Sequence, residues 1–236
     1  MNGEPKLVLF AKTGGRRECQ IDLLKERRTG KRGQFGELYK VQIEYRGQVM
    51  DFYEKRFFDD GDAERAQEKY QLAKDAGLKV FPTYRLNKER NSILMTPADN
   101  DGQKEVDSGK QGSIEMHSID NFVDFVKQLF AQVRLAYEHD IGFADDCLMY
   151  FYNPKSRKMD FYIGDTDNIV AKEQVQYNGE SYYQAFVDHM IKTIYDNIED
   201  LIHSSVRDRA KRNQYLELLY AEYETVKKDL GLSQKM

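Results

Sequence analysis

In the stretch Gly30-Lys31-Arg32-Gly33-Gln34-Phe35-Gly36-Glu37-Leu38-Tyr39-Lys40-Val41, a turn with three glycines leads straight into a strand of alternating apolar residues. Glycine lets backbone N–H groups approach a polyphosphate without an obstructing Cβ. Phe35 stands at the tip of the turn, where its ring can fold over a bound group. The stretch therefore predicts a hairpin that covers phosphates.

A second strand-like run at 49–58 contains Lys55 and follows the first run after a turn centred on Gly47. Glycine in such a short connection predicts a β-hairpin over 36–58. Residues 61–76 then have helix-forming composition, with Asp60 or Asp62 as N-cap and Gly77 as terminator. A further pair of strands is predicted from Pro82 to Met95.

The second half of the chain is richer in helix. Apolar residues recur at three- and four-residue steps from Phe122 to Tyr137, which predicts a core helix. Two aromatic strands at 147–152 and 159–163 form a predicted hairpin, and 182–230 has a helical pattern throughout. We predict a β-rich lobe at 1–98, a polar linker at 99–113 and a helical lobe with a β-hairpin at 114–236.

Composition sets limits on function. The formal net charge is −4 and the pI is about 5.7, which gives no global reason to expect binding to nucleic acid. The two cysteines, Cys19 and Cys147, are far apart, which fits a reducing compartment and excludes a cysteine-based zinc module. No apolar run reaches the ~20 residues of a membrane span. We expect a cytoplasmic protein, although export without a cleaved signal would leave no mark in the sequence.

This order of elements and motifs resembles the protein kinase superfamily over about residues 29–200. The resemblance implies a two-lobed α+β fold with a β-rich N-lobe, one helix in that lobe and a reduced helical C-lobe. It implies that a glycine-rich loop covers ATP and that a lysine holds the α- and β-phosphates. The loop residues are Gly33, Phe35, Gly36 and Leu38, the lysine is Lys55, and its carboxylate partner is Glu68, with Glu64 as the alternative.

The resemblance also implies a metal site for Mg²⁺ or Mn²⁺. Asp165 directly follows the strand Phe161–Gly164 and is similar to the family's metal-binding aspartate, while Asp146 stands where the family has a metal-binding asparagine. The catalytic base has two candidates, because the chain has no His-Arg-Asp triplet. They are Asp145 and Asp140, of which we prefer Asp145.

Other departures limit the functional prediction. Tyr53 lies two residues before Lys55, on the same predicted strand face, where the family has a small alanine beside adenine. The leading hypothesis is an atypical ATP-dependent kinase that phosphorylates a protein hydroxyl. The alternatives are a pseudokinase that binds or regulates a protein partner, and a small-molecule kinase of the same fold.

Overall fold

The computed structural model describes residues 6–10, 16–86, 90–96, 103–106, 115–144, 147–175 and 180–232. The architecture is α+β, as the sequence predicts. The chain divides into two compact units. Unit 1 comprises Met1–Leu72 and Phe81–Pro97, and unit 2 comprises Ala73–Val80 and Ala98–Met236. Residues 73–80 therefore group with unit 2, whereas the sequence-based division places them in the first lobe.

Unit 1 is built on one antiparallel sheet. Its strands in the described residues are β1 Lys6–Phe10, β2 Arg16–Gln20, β3 Asp22–Arg32, β4 Gly36–Tyr45, β5 Gln48–Phe57, β6 Thr83–Leu86 and β7 Ser92–Met95, in the spatial order β2-β1-β6-β7-β5-β4-β3. The predicted hairpin is confirmed as β4 and β5. Arg46 and Gly47 form its turn with φ of 52° and 75°, and two consecutive positive φ values are typical of the tight turns that match strand twist.

The two faces of this sheet have different roles. Val41, Phe52 and Leu94 belong to an apolar cluster on one face, which we call face A. Phe57 and Ile93 lie on the opposite face, face B, where they pack with Ala63 and Ala66 of helix α1 (Asp62–Asp75). Because side chains alternate along a strand, this packing decides for each residue of β4 and β5 whether it lies on face A or on face B.

Helix α1 lies within one residue of the predicted range at each end, but Asp62 is its first helical residue, and the carbonyl that accepts the first helical hydrogen bonds belongs to Gly61 rather than to a predicted aspartate N-cap. Its first turn carries Asp62 and Glu64, which suits the positive end of the helix dipole. At its end Gly77 has a φ of 80°, and the Leu78 N–H donates to the Ala73 carbonyl over 2.9 Å. This is the left-handed glycine stop that ends many helices.

Unit 2 contains the longer helices. The elements are β8 Lys104–Val106, α2 Phe122–Glu138, β9 Ile141–Phe143, β10 Leu148–Asn153, β11 Lys158–Ile163, β12 Ile169–Ala171, α3 Lys172–Val175, α4 Glu180–Ser205 and α5 Arg209–Asp229. The predicted core helix and aromatic hairpin are confirmed as α2 and β10–β11. The region predicted as a linker contains β8, which pairs with β10.

Two ladders position the candidate site of unit 2. β10 pairs with β11, and β9 pairs antiparallel with β12 so that Ile141 lies opposite Ala171 and Phe143 opposite Ile169. Behind them, α2 buries an apolar stripe that includes Phe125, Leu129 and Val133. None of the helices in the described ranges is long and apolar enough to cross a membrane.

Candidate functional site

The glycine-rich turn joins β3 to β4 in unit 1. The Gly33 N–H donates to the Gly36 carbonyl over 2.9 Å, and Phe58 N–H donates to the Phe35 carbonyl over 3.1 Å. The Phe35 side chain is 42% exposed. These bonds hold the turn against the end of β5 and leave the aromatic ring available to a ligand.

Gly33 and Gly36 differ in whether packing leaves room for a side chain. A Cβ on Gly36 would fall 3.0 Å from the Arg56 carbonyl carbon, and closer still to the carbonyl oxygen. A Cβ on Gly33 would meet only the Gly36 oxygen, at 3.9 Å. The close approach of β4 to β5 therefore requires Gly36 whether or not phosphate binds, whereas packing leaves position 33 open.

Lys55 lies on face B, the face that α1 covers. It pairs with Leu38 of β4 on one side and with Ile93 of β7 on the other, and its ammonium lies 5.2 Å from the centre of the Phe57 ring. Its neighbours Glu54 and Arg56 point to face A. The charged run around Lys55 is thus divided between opposite faces, and Lys55 is half-buried beside the helix.

Glu54 has a structural role on face A. Its side chain is fully buried, and it accepts hydrogen bonds from Ser92 Oγ at 2.8 Å and from Arg56 at 2.7 Å. Burial alone would lower the pKa of Arg56, but its hydrogen bonds to Glu26 and Glu54 raise that pKa above the usual arginine range. Arg90 also contacts both glutamates. These four charges form a network that anchors β3, β5 and β7.

Helix α1 carries three residues to consider as partners of Lys55. Glu64 pairs with Arg85 of β6 over 3.1 Å, and Glu68 is exposed. Gln67 is buried with Ala63 and Ala66, and its Oε1 has no hydrogen-bond partner among the described residues. The pairing of Lys55 with Glu68 stays a prediction. Gln67 was not among the predicted site residues, although its i+4 spacing from Ala63 places both on one helix face.

Tyr53 shares face B with Lys55, as its spacing predicts. It pairs with Lys40 of β4, whose ammonium lies 5.2 Å from the centre of the tyrosine ring. Arg27 of β3 pairs with Lys40 from the other side. A cation therefore already contacts the aromatic ring on this face.

In unit 2, Asp165 follows β11 at the start of a short 3₁₀ turn, Thr166–Asn168. The Gly164 N–H donates to the Cys147 carbonyl over 2.7 Å, and Cys147 Sγ donates to the Asp165 carbonyl over 3.0 Å. The Ala144 N–H donates to the Asn168 carbonyl over 3.3 Å. The Asp165 turn is thus bonded to both residues that bracket positions 145 and 146.

Asp145 and Asp146 themselves lie outside the described residues, so their roles stay predictions. No group of three or more potential metal ligands occurs among the described residues, which do not include these two aspartates. The carboxylate of Asp165, with Asp145 and Asp146 in the segment between Ala144 and Cys147 to which its turn is bonded, suits a hard cation such as Mg²⁺.

Asp140 lies elsewhere in unit 2. It precedes β9 and adopts a φ of 55°, its carbonyl accepts from Lys172 N–H over 2.7 Å, and its carboxylate pairs with Lys172 Nζ over 3.0 Å. Its carboxylate is 62% exposed. Ala144 and Asn168 meet at the other end of the β9–β12 ladder, four residues along the chain from Asp140, which is at most about 13 Å at the usual rise per strand residue. The fold brings Asp140 to Lys172 rather than to the Asp165 turn.

The surroundings of Asp140 include Tyr183 of α4. The Tyr183 hydroxyl donates to the Ile141 carbonyl over 3.1 Å, and the ring stacks on Tyr137 with centroids 5.9 Å apart. Burial and the nearby Asp140 carboxylate raise the Tyr183 pKa well above its usual range. Through these contacts, Asp140 and Lys172 help to hold the end of α2 against α4.

The chain is similar to solved structures of other proteins. The chain is similar to the crystal structure of a Helicobacter pylori proinflammatory kinase, CtkA, with a TM-score of 0.42 and 13% identity, over 88% of this chain and 93% of that chain. No model of a known protein family matches the sequence. No curated protein matches it either.

Proposed function

We propose that this protein is an ATP-dependent phosphotransferase of the protein-kinase type that uses Mg²⁺ or Mn²⁺ and phosphorylates a protein hydroxyl. The observation that carries the proposal is the hydrogen bonding of the Asp165 turn to Ala144 and Cys147, the residues on either side of Asp145-Asp146. It favours one acidic site that gathers carboxylates from two separate segments. Such a set of oxygen ligands suits a metal bound to phosphates.

Each predicted residue has a distinct task in this proposal. Asp165 and Asp146 would hold the metal, which when bound neutralises charge on the phosphates. Lys55 would bind the α- and β-phosphates, supported by its place on face B beside Leu38 and Ile93. Gly33 would bring backbone N–H groups to the phosphates, because position 33 is free of packing constraints.

The chemical step is a transfer of the γ-phosphoryl group. The acceptor hydroxyl oxygen forms a bond to the γ-phosphorus while the bond from that phosphorus to the β–γ bridging oxygen breaks, and ADP leaves. The hydroxyl proton passes to a carboxylate, for which we propose Asp145. Asp140 is less suitable because Lys172 pairs with it at the opposite end of the β9–β12 ladder. Most of the acceleration would come from positioning and charge neutralisation.

A pseudokinase is the second candidate, and Tyr53 is the observation that favours it. A kinase-type site accommodates adenine beside a small residue at this position, whereas here a tyrosine ring and the Lys40 ammonium lie together on face B. A protein with this feature could keep the fold and bind a regulatory partner without phosphoryl transfer.

The test is incorporation of radiolabelled phosphate from ATP into the protein itself and into casein, with Mg²⁺ or Mn²⁺. Lys55→Ala and Asp165→Asn should each lower incorporation by at least about a hundredfold, which corresponds to a few kcal/mol of lost transition-state stabilisation. Asp140→Asn is the matched carboxylate control and should retain activity within about threefold.

Incorporation that survives both Lys55→Ala and Asp165→Asn would refute the site assignment. Loss of activity in Asp140→Asn, with folding intact, would identify Asp140 rather than Asp145 as the catalytic base. If the wild-type protein transfers no phosphate and gains no thermal stability from ATP, the pseudokinase is the better description.

A further inference from the structure

Strand β3 (Asp22–Arg32) lies at the edge of the unit 1 sheet. Among the strands of the described residues it is the last in the spatial order, with β4 on its inner side. All of its residues except Leu23 and Thr29 are exposed. Its pairing with β4 is regular from Lys25 to Arg28, and the register shifts on both sides of this run. This regular run is the part of β3 that suits a further strand on its outer side.

The hairpin of β4 and β5 fixes the direction of the main-chain groups. The pair Tyr45 and Gln48 closes a two-residue turn, and such a closing pair is hydrogen-bonded. Because main-chain groups alternate between the two edges of a strand, the odd-numbered residues of β4 bond to β5 and the even-numbered residues bond toward β3. The Leu38 carbonyl agrees with this count, since it accepts from Thr29 Oγ1 over 2.7 Å.

Two residues of β3 therefore direct their main-chain groups to the outer edge. Lys25 and Arg27 lie opposite even-numbered residues of β4, so their N–H and C=O groups bond to β4. The N–H and C=O groups of Glu26 and Arg28 point the other way. In the ranges that the structure describes, no other backbone group bonds to them. An added strand would form its ladder with Glu26 and Arg28.

The side chains of these two outward-bonding residues lie on face A, where their charges are already balanced. Glu26 forms ion pairs with Arg56 and Arg90. Arg28 forms an ion pair with Glu37. Face A therefore gives an added strand little preference for charge.

Face B of the same run is positive at its outer edge. Lys25 and Arg27 are exposed there. The carboxylate of Asp51 is on the same face but lies two strands from Lys25, where it accepts from Gln42 Nε2 over 3.1 Å. An added strand would lie on the other side of β3, with its face B residues about 5 Å from Lys25 and Arg27. Acidic residues at alternate positions of that strand would pair with both cations.

The same charges disfavour a second copy of this chain as the added strand. Pairing of two β3 strands would bring the cations of one copy opposite those of the other, and like charges directly opposite are destabilising. Positive charge on an edge strand is a common protection against such self-pairing. The edge thus disfavours its own copy and favours an acidic strand.

We propose that the outer edge of β3 from Lys25 to Arg28 binds an extended acidic segment of a partner protein by strand addition. The main-chain groups of Glu26 and Arg28 supply the hydrogen bonds, and Lys25 and Arg27 select carboxylates at alternate positions. The interaction involves no phosphoryl transfer, so it holds or fails independently of the proposed function.

The test uses an acetylated and amidated peptide of alternating threonine and glutamate, whose carboxylates all lie on one face of a strand. Its affinity for the full chain is measured by fluorescence anisotropy, and NMR amide exchange locates the bound peptide. At a peptide concentration about ten times the dissociation constant, the N–H groups of Glu26 and Arg28 should exchange about tenfold more slowly. Those of Lys25 and Arg27 should change little, because they already bond to β4.

Matched peptides separate strand addition from attraction between charges. A peptide with lysine in place of glutamate should bind at least about tenfold more weakly, because like charges then face each other. N-methylation of the threonines removes the donors that would bond to β3 and should weaken binding at least about tenfold. N-methylation of the glutamates blocks only the far edge of the peptide and should leave its affinity within about threefold.

Protein variants test the same surface. Arg27→Ala should weaken glutamate-peptide binding about threefold, as expected for one cross-strand ion pair. Lys25→Glu combined with Arg27→Glu should reverse the preference in favour of the lysine peptide. Arg28→Pro removes an outward N–H without removing a bond to β4 and should bind at least about fivefold more weakly than Arg28→Ala.

Equal affinities for the glutamate and lysine peptides would overturn the selection by charge. Equal affinities for the two N-methylated peptides would overturn strand addition, as would unchanged amide exchange at Glu26 and Arg28. Binding of oligo-dT more tightly than the glutamate peptide would identify a nucleic-acid surface instead. A dimer in sedimentation that Arg28→Pro dissociates would identify a second copy as the occupant and overturn the proposal.

Discussion

Substitution of the two turn glycines separates packing from ligand binding. In Gly36→Ala the added methyl group meets the Arg56 carbonyl, with a carbon–carbon distance of 3.0 Å, and it meets Phe57 Cα at 3.3 Å. Both obstacles are backbone atoms of β5, so relief requires the two strands to move apart. Overpacking of this kind costs about 2 kcal/mol. For a chain of this size, that cost lowers the melting temperature by roughly 4–8 °C.

Gly33→Ala should behave differently. Its added methyl group would make an ordinary contact at 3.9 Å, and Gly33 is not among the glycines with positive φ. The free energy of unfolding should stay within about 0.5 kcal/mol of the wild type, or rise slightly because alanine restricts the unfolded chain. If backbone N–H groups at this position contact phosphate, the same variant should weaken ATP binding.

The assay is urea denaturation followed by circular dichroism and tyrosine fluorescence, together with ATP titration of each variant. The reasoning is refuted if Gly36→Ala is as stable as Gly33→Ala, because strand contact would then not explain the glycine at 36. Unchanged ATP affinity in Gly33→Ala, with wild-type binding established, would remove Gly33 from the site.

Three further predictions concern stability. Glu54→Ala leaves Arg56 in a partly buried position with one carboxylate fewer and should cost about 3 kcal/mol in urea denaturation, whereas loss under 1 kcal/mol would show that the network contributes little. The hydrogen bond from Arg56 holds the pKa of Glu26 below its usual value of 4.5, so the stability that the ionised carboxylate contributes is present above that pH and is lost as the pH falls below it. Glu26→Gln should therefore flatten the fall in the free energy of unfolding between pH 6 and pH 3, about the range of carboxyl titration. An unchanged pH curve would contradict this. Gly142→Ala places a methyl group 2.9 Å from a ring carbon of Phe186 and should lower the melting temperature. Adding Phe186→Leu to that variant should restore part of the loss, and equal losses in the single and double variants would exclude the ring as the cause.

Much of the local structure was predictable because its causes lie close together in the chain. Gly47 and the alternating residues around it specify the hairpin of β4 and β5, and Gly77 marks the end of α1. The position of Tyr53 on the same strand face as Lys55 follows from the strand period alone. These features depend on neighbouring residues, whose sterics and spacing are fixed before any long-range contact forms.

The roles of individual side chains were less accessible. Glu64, Gln67 and Glu68 all lie within two turns of α1, and only the rotation of the helix on the sheet decides which one is buried. That rotation depends on how Ala63 and Ala66 pack against Phe57 and Ile93, residues that are near them in space but on other elements. The buried one of the three is the amide Gln67, and the resemblance to kinases gave no sign of it.

The sequence by itself determined the hairpins β4–β5 and β10–β11, the C-terminal end of α1 and the apolar stripe of α2, because periodicity and turn chemistry act within a few residues. Only the tertiary structure decided that Asp140 meets Lys172 and that the Asp165 turn bonds to Ala144 and Cys147. It also decided that Arg27 and Lys40 share a face. Each of these relations depends on which strands pair and in which register, and register is set by the packing of the whole sheet.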